Sequence, residues 1–571
     1  MKTGLHNYYF SKLLITYFSK IGIKYAFMSP GSRNTPLALA LSDQKDIITY
    51  NIIDERSSSF IGLGSYKYNK KPALVITTSG TAVANLYPAI VEAYMSSTPL
   101  IIITADRPKK LIGTGANQTI NQTNIFNNYI HKFYDGEVYF NNFLNNFQTI
   151  ENKSKDVSNI IDLVLDSYMY SMGIKKNIKG PVHINIPFEK PLHINDRDKF
   201  KIKNLQVFKI PVSINSTSLT QSYPDLSKVI KPIIICTDNR DKNIIKMAEV
   251  CNIPIFMECC GSRYNFKSNN IISAYEFLLG NIEFKPDLIL RFGKKPISNS
   301  LNNLIDKNRD CTYLINNFNT IIDDAKYNIH TNASIFLAYL NENKFLGSKK
   351  WLNYLIDKQF LIKNCLDNFF KSPKEHEGYI INKIISNLPN NTDVMIGNSS
   401  PIRDLDKFTL ENDKSITIHS NRGVSGIDGI ISTAIGISLD NKSTALIIGD
   451  VSFFYDISSL INNLNNNINL KIFIINNNGG HIFDRLDGLK FEKNYKNYWL
   501  TPTVANIENA AKLYECNYTR IDKTNFIDIP KIVNKVSEHS KSIDLIEIKV
   551  DSETHQIVDK KITENIKNIL N

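Results

Sequence analysis

The residues best suited to chemistry lie in two short segments, Gly449-Asp450-Val451-Ser452 and Asn476-Asn477-Asn478-Gly479-Gly480. Asp450 follows an apolar, β-branched run, Ser443–Ile448, and a helix-like stretch follows it. The second segment ends another apolar run, Leu470–Ile475. A βαβ unit between them would bring both segments to the carboxyl edge of neighbouring parallel strands, where open α/β sheets bind ligands. A carboxylate (Asp450), an amide oxygen (Asn477) and a backbone carbonyl at Gly479 are hard oxygen donors of the kind magnesium takes, and they leave coordination positions for diphosphate oxygens. An ordinary Asp cap followed by an Asn-Gly turn would give the same local pattern.

These groups need a scaffold, and the chain carries one. At 571 residues it is too long for one core. Short, largely apolar strands alternate with helical stretches throughout: Ile23–Met28, Tyr50–Ile53, Ala73–Thr77, Leu100–Thr104 and Val182–Ile186 in a first block; Pro232–Cys236, Ile253–Met257, Asp287–Arg291 and Thr312–Ile315 in a second; Asp393–Ile396, Ser415–Ile418, Ser443–Ile448, Leu470–Ile475 and Ile543–Val550 in a third. Such strands imply parallel sheets covered on both faces. The expected fold is α/β, with three successive parallel-sheet domains at 1–194, 195–345 and 346–571, and a polar linker near 195–204.

Composition narrows the function. The chain is 42% hydrophobic and 21% charged, as soluble globular proteins are. Its net charge of +12 comes from Lys dispersed among Asn and Ile, without a basic run, which speaks against a nucleic-acid surface and suits anionic substrates. Seven scattered cysteines form no CxxC pair and fit a reduced, cytoplasmic protein. The longest apolar runs are too short to span a bilayer, so no integral membrane segment is expected.

Several segments place polar groups just after strand ends. Ser29-Pro30-Gly31-Ser32-Arg33-Asn34 sets Arg33 at a helix start, an unfavourable place for a cation unless an anion offsets it. Thr104-Ala105-Asp106-Arg107-Pro108 is followed by Gly113-Thr114-Gly115-Ala116-Asn117-Gln118, whose polar side chains can orient carboxylates and hydroxyls. Gly397-Asn398-Ser399-Ser400-Pro401-Ile402-Arg403 follows Asp393–Ile396. Asn421-Arg422-Gly423-Val424-Ser425-Gly426-Ile427-Asp428-Gly429 precedes a small-residue helix, Ile430–Ile437, and suits close contact with a planar ring, with Ile427 as a wedge. Only 12 of the 67 basic residues are Arg, yet Arg33, Arg107, Arg403 and Arg422 all fall just past strand ends. Arg forks a carboxylate as Lys cannot, so four of them at a sheet edge point to a polyanionic substrate.

Taken together, SPGSRNTPLALAL, DERSSSFIGLG, TSGTAVANLYPAIVEA, GANQ, NSSPIRDLD, NRGVSGIDG and GDVSFFYD…NNNGGHIF resemble the MenD family of thiamine-diphosphate (ThDP) enzymes. The ThDP motif is GDG followed by NN; here Val451 replaces its second Gly. The resemblance covers the first and third blocks. The second matches mainly at Arg291-Phe292-Gly293 and Pro296-Ile297-Ser298, where the family usually has Lys at the position of Asn299, with Lys294 or Lys295 as substitutes nearby.

The resemblance implies ThDP and Mg²⁺, with Mn²⁺ as an alternative metal, in a transferase of menaquinone biosynthesis. Glu55 would be the carboxylate facing N1′ of the aminopyrimidine, in an apolar cleft that raises its pKa. Asp450, Asn477 and the Gly479 carbonyl would hold the metal. Gly397, Asn398, Ser425, Ile427, Val451, Ser452 and Gly480 would line the cofactor. Ser32, Arg33, Arg107, Asn117, Gln118, Ser399, Arg403 and Arg422 would bind substrate, with Arg33, Gln118 and Arg403 near the reacting atoms. The implied reaction decarboxylates 2-oxoglutarate and adds the succinyl carbanion to isochorismate, in a homodimer or homotetramer. An acetolactate-synthase-like carboligase, acting on pyruvate with fewer Arg forks, is the alternative within the same cofactor class. A cofactor-binding protein with a decayed site is a second alternative, against which the intact Glu55, Asp450 and Asn477 stand.

Overall fold

The computed structural model describes residues 2–146, 157–194, 223–316, 323–440, 443–465, 468–486, 488–536 and 542–571; the linker expected near 195–204 lies outside them. Among the described residues eighteen strands form three six-stranded sheets in which every pairing is parallel. The first sheet contains β1 (Tyr25–Met28), β2 (Ile48–Asn51), β3 (Leu74–Thr77), β4 (Leu100–Asp106), β5 (Phe133–Asp135) and β6 (Pro181–Pro187). The second contains β7 (Pro232–Cys236), β8 (Ile255–Met257), β9 (Ile271–Ile272), β10 (Leu288–Phe292), β11 (Thr312–Ile315) and β12 (Tyr327–Ile329). The third contains β13 (Thr392–Ile396), β14 (Ile416–His419), β15 (Thr444–Gly449), β16 (Leu470–Asn476), β17 (Asn517–Ile521) and β18 (Ile543–Lys549).

The first and third sheets share one strand order, β2-β1-β3-β4-β6-β5 and β14-β13-β15-β16-β18-β17. The second runs β9-β8-β7-β10-β11-β12, the 3-2-1-4-5-6 order of dinucleotide-binding folds. By compactness the chain divides into two units. One comprises Met1–Asn215, Asn421–Asp440 and Asp456–Asn462; the other comprises Ser216–Ser420, Asn441–Tyr455 and Asn463–Asn571.

Alternation along the strands explains the layering. In the first sheet Ala26, Leu74, Ile76, Ile101, Ile103, Val182 and Ile184 pack on one face with Phe10, Leu14 and Phe18 of the helix Lys2–Lys20 and with Leu163 and Val164 of the helix Ser158–Ser171. Val75, Leu100 and Ile102 pack on the other with Phe60, Leu63, Val83 and Ile90. A fully buried Leu or Ile contributes about 1.5–3 kcal/mol, so a polar side chain on either face would be costly. Helix starts are fixed by short oxygen-bearing side chains: Asp54 accepts from the Arg56 and Ser57 amides, Ser348 from Trp351 and Asp551 from Thr554, each worth about 1 kcal/mol. In the first unit the helices Glu55–Asn69 and Ile430–Ser438 cross closely enough that a Cβ on Gly64 would strike the Thr433 carbonyl and one on Gly436 the Ile61 carbonyl.

The seven cysteines are all unpaired, with Cys236, Cys251, Cys259 and Cys260 buried. Among the described residues no helix is long and apolar enough to cross a membrane.

Candidate active site

In the second unit, adjacent strands β13, β15 and β16 deliver three loops to one carboxyl edge. The switch point of the strand order lies between β13 and β15, so Gly397-Asn398-Ser399 and Gly449-Asp450 flank the crevice where such sheets bind ligands. Asp450 starts the helix Asp450–Tyr455 and is only 2% exposed. Burial raises its carboxyl pKa to about 6, although the Val451 and Gly479 amides donate to it and His481 adds favourable charge. Its Oδ2 is buried and has no hydrogen-bond partner among the described residues. A buried carboxylate oxygen without a partner costs on the order of 1–3 kcal/mol or more; a cation at that atom would remove the penalty.

The rest of the donor set agrees. Asn477 gives its amide N–H to Glu377 Oε1 at 2.8 Å, which leaves Oδ1 as the free, hard end of the side chain. Gly479 has φ of 139°, a conformation closed to L-residues, and a Cβ there would collide with the Leu500 carbonyl. Among the described residues no three His, Cys, Asp or Glu side chains gather as a metal cluster. One carboxylate, one amide and one carbonyl is instead the sparse set that leaves room for phosphate oxygens on magnesium.

Val451 is half-buried, Ser452 buried and Gly480 half-buried, with the Gly480 amide donating to the Leu500 carbonyl at 2.7 Å. Asn398 is buried, and Ser399 sits at a positive φ of 72° at the start of the helix Ser400–Phe408. Arg403 on that helix donates to the Ser399 carbonyl at 2.7 Å. A cavity of about 720 Å³ is lined by Asn299, Glu377, Arg403, His481 and Arg485 among others. Lys294 and Lys295 lie near Asp238 and Asp324 respectively and do not line it. The cationic residue that sequence reasoning missed is Arg485, held to Asp404 at 3.1 Å.

In the first unit the switch point lies between β1 and β3. Arg33 is buried just past β1 and donates to the Phe188 carbonyl at 2.6 Å; its Nε has no partner among the described residues. Arg107, just past β4, donates to the Ser79 hydroxyl. Burial and the charge of Arg107 lower the Arg33 pKa, while Asp106 opposes the shift. Asp106 is held by the Arg107 amide at 2.7 Å and by Asn185 at 2.8 Å. Two buried guanidiniums facing a single carboxylate leave net positive charge, which an anionic ligand offsets. Gln118 has φ of 55° and is clasped to Ser79 in both directions, Nε2 to the Ser79 carbonyl and Ser79 Oγ to its own carbonyl, each at 3.0 Å. Ser32, Asn117 and Gln118 are exposed. Glu55 opens the helix Glu55–Asn69, is half-buried, and accepts from Asn85 Nδ2 at 3.1 Å.

Arg422, Ser425 and Ile427 lie on a loop of the same unit, with Ser425 at φ of 59°. The loop is fixed by Glu92, which sequence reasoning passed over: its two oxygens accept the Gly423 and Val424 amides at 2.9 Å each. The signal was one acid on the apolar helix Tyr87–Met95, buried at 2% exposure. Asp456, fully buried, was missed as well. It accepts the Ser432 amide at 2.9 Å and Arg56 at 3.3 Å, and burial raises its pKa to about 6. In chain order the four arginines therefore follow strands of two sheets, not one: Arg33 and Arg107 follow β1 and β4 of the first, Arg403 and Arg422 follow β13 and β14 of the third.

This fold and these loops define a thiamine-pyrophosphate enzyme. Residues 9–125 match the N-terminal and residues 407–548 the C-terminal thiamine-pyrophosphate-binding domain of such enzymes. The chain is 32% identical to a 2-succinyl-5-enolpyruvyl-6-hydroxy-3-cyclohexene-1-carboxylate synthase of Staphylococcus aureus (strain JH9), over 99% of this chain and 100% of that one. It is 30% identical to the synthase of the same name from Lysinibacillus sphaericus, over 88% and 89%. A benzoylformate decarboxylase from Polynucleobacter necessarius has the same fold, with a TM-score of 0.67 and 14% identity, over 95% of this chain and 98% of that one. The chain belongs to the 2-succinyl-5-enolpyruvyl-6-hydroxy-3-cyclohexene-1-carboxylate synthase family.

Proposed function

We propose that this chain, with ThDP and Mg²⁺ (Mn²⁺ as a substitute), breaks the bond between the 2-oxo carbon and the adjoining carboxylate of 2-oxoglutarate. CO₂ is released, and the succinyl fragment forms a new carbon–carbon bond to isochorismate, giving 2-succinyl-5-enolpyruvyl-6-hydroxy-3-cyclohexene-1-carboxylate. The observation that carries the metal and cofactor reading is the unpartnered, buried Oδ2 of Asp450 beside an Asn477 whose oxygen is its free end. Bound ThDP supplies the electron sink for decarboxylation.

The protein residues supply the rest. Asp450, Asn477 and the Gly479 carbonyl would hold the metal, with Gly397, Asn398, Ser425, Val451, Ser452 and Gly480 against the cofactor and Ile427 beneath its rings. Glu55 would hold a proton at the aminopyrimidine ring nitrogen. Both substrates are dianions, which suits the surplus cationic charge at Arg33 and Arg107 and the guanidiniums of Arg403 and Arg422; Ser32, Asn117, Gln118 and Ser399 would orient their carboxylates and hydroxyls. The domain division 1–194, 195–345 and 346–571, a homodimeric or homotetrameric assembly, a cytoplasmic location and no nucleic-acid partner complete the reading.

Titration of the metal-free chain with ThDP, with and without Mg²⁺, tests the cofactor part. Metal-dependent tightening supports the clamp; equal affinity with and without metal contradicts it. Release of CO₂ from pyruvate in place of 2-oxoglutarate would instead identify an acetolactate-synthase-like carboligase.

A further inference from the structure

Metal ligands built from Asn have an ambiguity that Asp lacks, because the amide presents oxygen one way and N–H donors the other. Something must decide which end of Asn477 faces the metal. The helix Glu377–Asn387 places Glu377 at its first position, with the residue only 3% exposed and among those lining the 720 Å³ cavity. Glu377 Oε1 accepts the Asn477 Nδ2 hydrogen at 2.8 Å. The backbone around Glu377 is itself pinned: its amide donates to His555 Nδ1 at 3.3 Å, and the preceding His376 caps the helix by accepting from Tyr379 at 3.2 Å.

The preceding Asn476 does not share this arrangement. Asn476 turns its amide to Glu547 at 2.6 Å and its oxygen to the Asn478 amide at 3.1 Å, so both of its ends are engaged within the protein. Asn477 has its N–H end tied to a buried acceptor and its oxygen end left for a ligand, one strand away from the unpartnered Asp450 Oδ2.

We infer that Glu377 is a positioning residue for the metal: it holds the Asn477 amide so that Oδ1, and not the N–H₂ group, faces the cation. This rests on the metal reading above. Hydrogen-bond partners of metal ligands typically change metal affinity by about 10–100-fold when removed.

The experiment is a Mn²⁺ titration of the full-length chain with saturating ThDP, read by the electron paramagnetic resonance of free Mn²⁺, with thermal melts of the metal-free proteins alongside. Glu377→Leu is expected to weaken Mn²⁺ binding by about 10–100-fold. A double-mutant cycle separates orientation from general support of the fold. Asn477→Asp removes the amide and sets two carboxylates against each other, so Glu377→Gln, whose amide can donate to the new carboxylate, should strengthen Mn²⁺ binding in that background. In the wild-type background Glu377→Gln, whose neutral oxygen holds the Asn477 amide less firmly than a carboxylate, should weaken it. This reversal of sign is the expected result, and the Gln variants give it even where the Leu variant fails to fold. Wild-type Mn²⁺ affinity in a folded Glu377→Leu, or additive effects in the cycle, would overturn the inference while leaving the clamp intact. A wild-type chain whose Mn²⁺ binding does not depend on ThDP would overturn the metal reading and this inference with it.

Discussion

The second and third sheets are both six-stranded and parallel, and each has a switch point, but only the third offers one open to a ligand. At the β7/β10 switch the Thr237 hydroxyl donates to the Lys294 carbonyl at 3.0 Å, and Asp238 accepts the Lys294 amide at 3.0 Å. The groups at the strand ends satisfy each other. At the β13/β15 switch Asp450 keeps a buried oxygen with no partner, and Ser399 holds a positive φ. The second sheet even has the dinucleotide-binding strand order, yet its first βα turn reads Thr237-Asp238-Asn239-Arg240, without the glycines that let a backbone approach a pyrophosphate. Strand order thus creates a crevice; unsatisfied groups at its mouth make it a site.

The largest expected effect comes from closing the open switch. Asp450→Ala should weaken metal binding in the presence of ThDP by roughly 100-fold or more, since even indirect partners of a metal cost up to that; calorimetric Mg²⁺ titration checks this, and unchanged affinity would erase the contrast between the sheets. Glu55→Gln should cut turnover by about 10²–10⁴-fold, the range for a lost acid–base group, with the melting temperature preserved because its one described side-chain bond, to Asn85, is made at an exposed position. Steady-state rates and a melt on the same sample decide it. Arg33→Ala or Arg107→Ala should lower kcat/KM by about 10–100-fold, as expected for loss of a charged hydrogen bond, and Lys at either position should restore little of it.

A smaller effect separates two buried carboxylates with similar pKa values. Asp456 is fully partnered by Ser432 and Arg56, whereas Asp450 is not. Burial raises the Asp456 pKa to about 6 from its ordinary 3.8. The folded chain therefore binds this proton more tightly than the unfolded chain does, and the group's contribution to stability falls as pH rises from about 4 to about 6. Asp456→Asn should remove that decline, a difference of about 1–3 kcal/mol across the window, visible as converging melting temperatures at pH 4 and 6. Least of all, Asp238→Ala at the closed switch should cost about 1 kcal/mol of stability and leave turnover untouched; a change in KM would show that the second sheet takes part in binding.

Much of this arrangement is legible in the sequence, for identifiable reasons. Interior strands such as β7, β11, β15 and β16 are predominantly apolar because both faces are covered, so their positions can be read to within a residue. The edge strands β5, β9, β12 and β17 are short or polar, as in Asn517–Ile521, and give no such signal. The loops after strand ends were found because Asp, Asn, Gly and Arg are conspicuous there. What stayed hidden were groups that act across long sequence separation: Glu92 on the Gly423 loop, Glu377 on Asn477, and Asp456 on Arg56. Their partners are set by packing, which no local pattern reports.

The most direct test of the central claim follows isochorismate by its ultraviolet absorbance in the presence of 2-oxoglutarate, ThDP and Mg²⁺, leaving out each in turn. Consumption that requires all three, with CO₂ released in equal amount, is the result expected of this chain. Consumption of isochorismate without 2-oxoglutarate, or none at all from a chain that has bound ThDP and Mg²⁺, would contradict it.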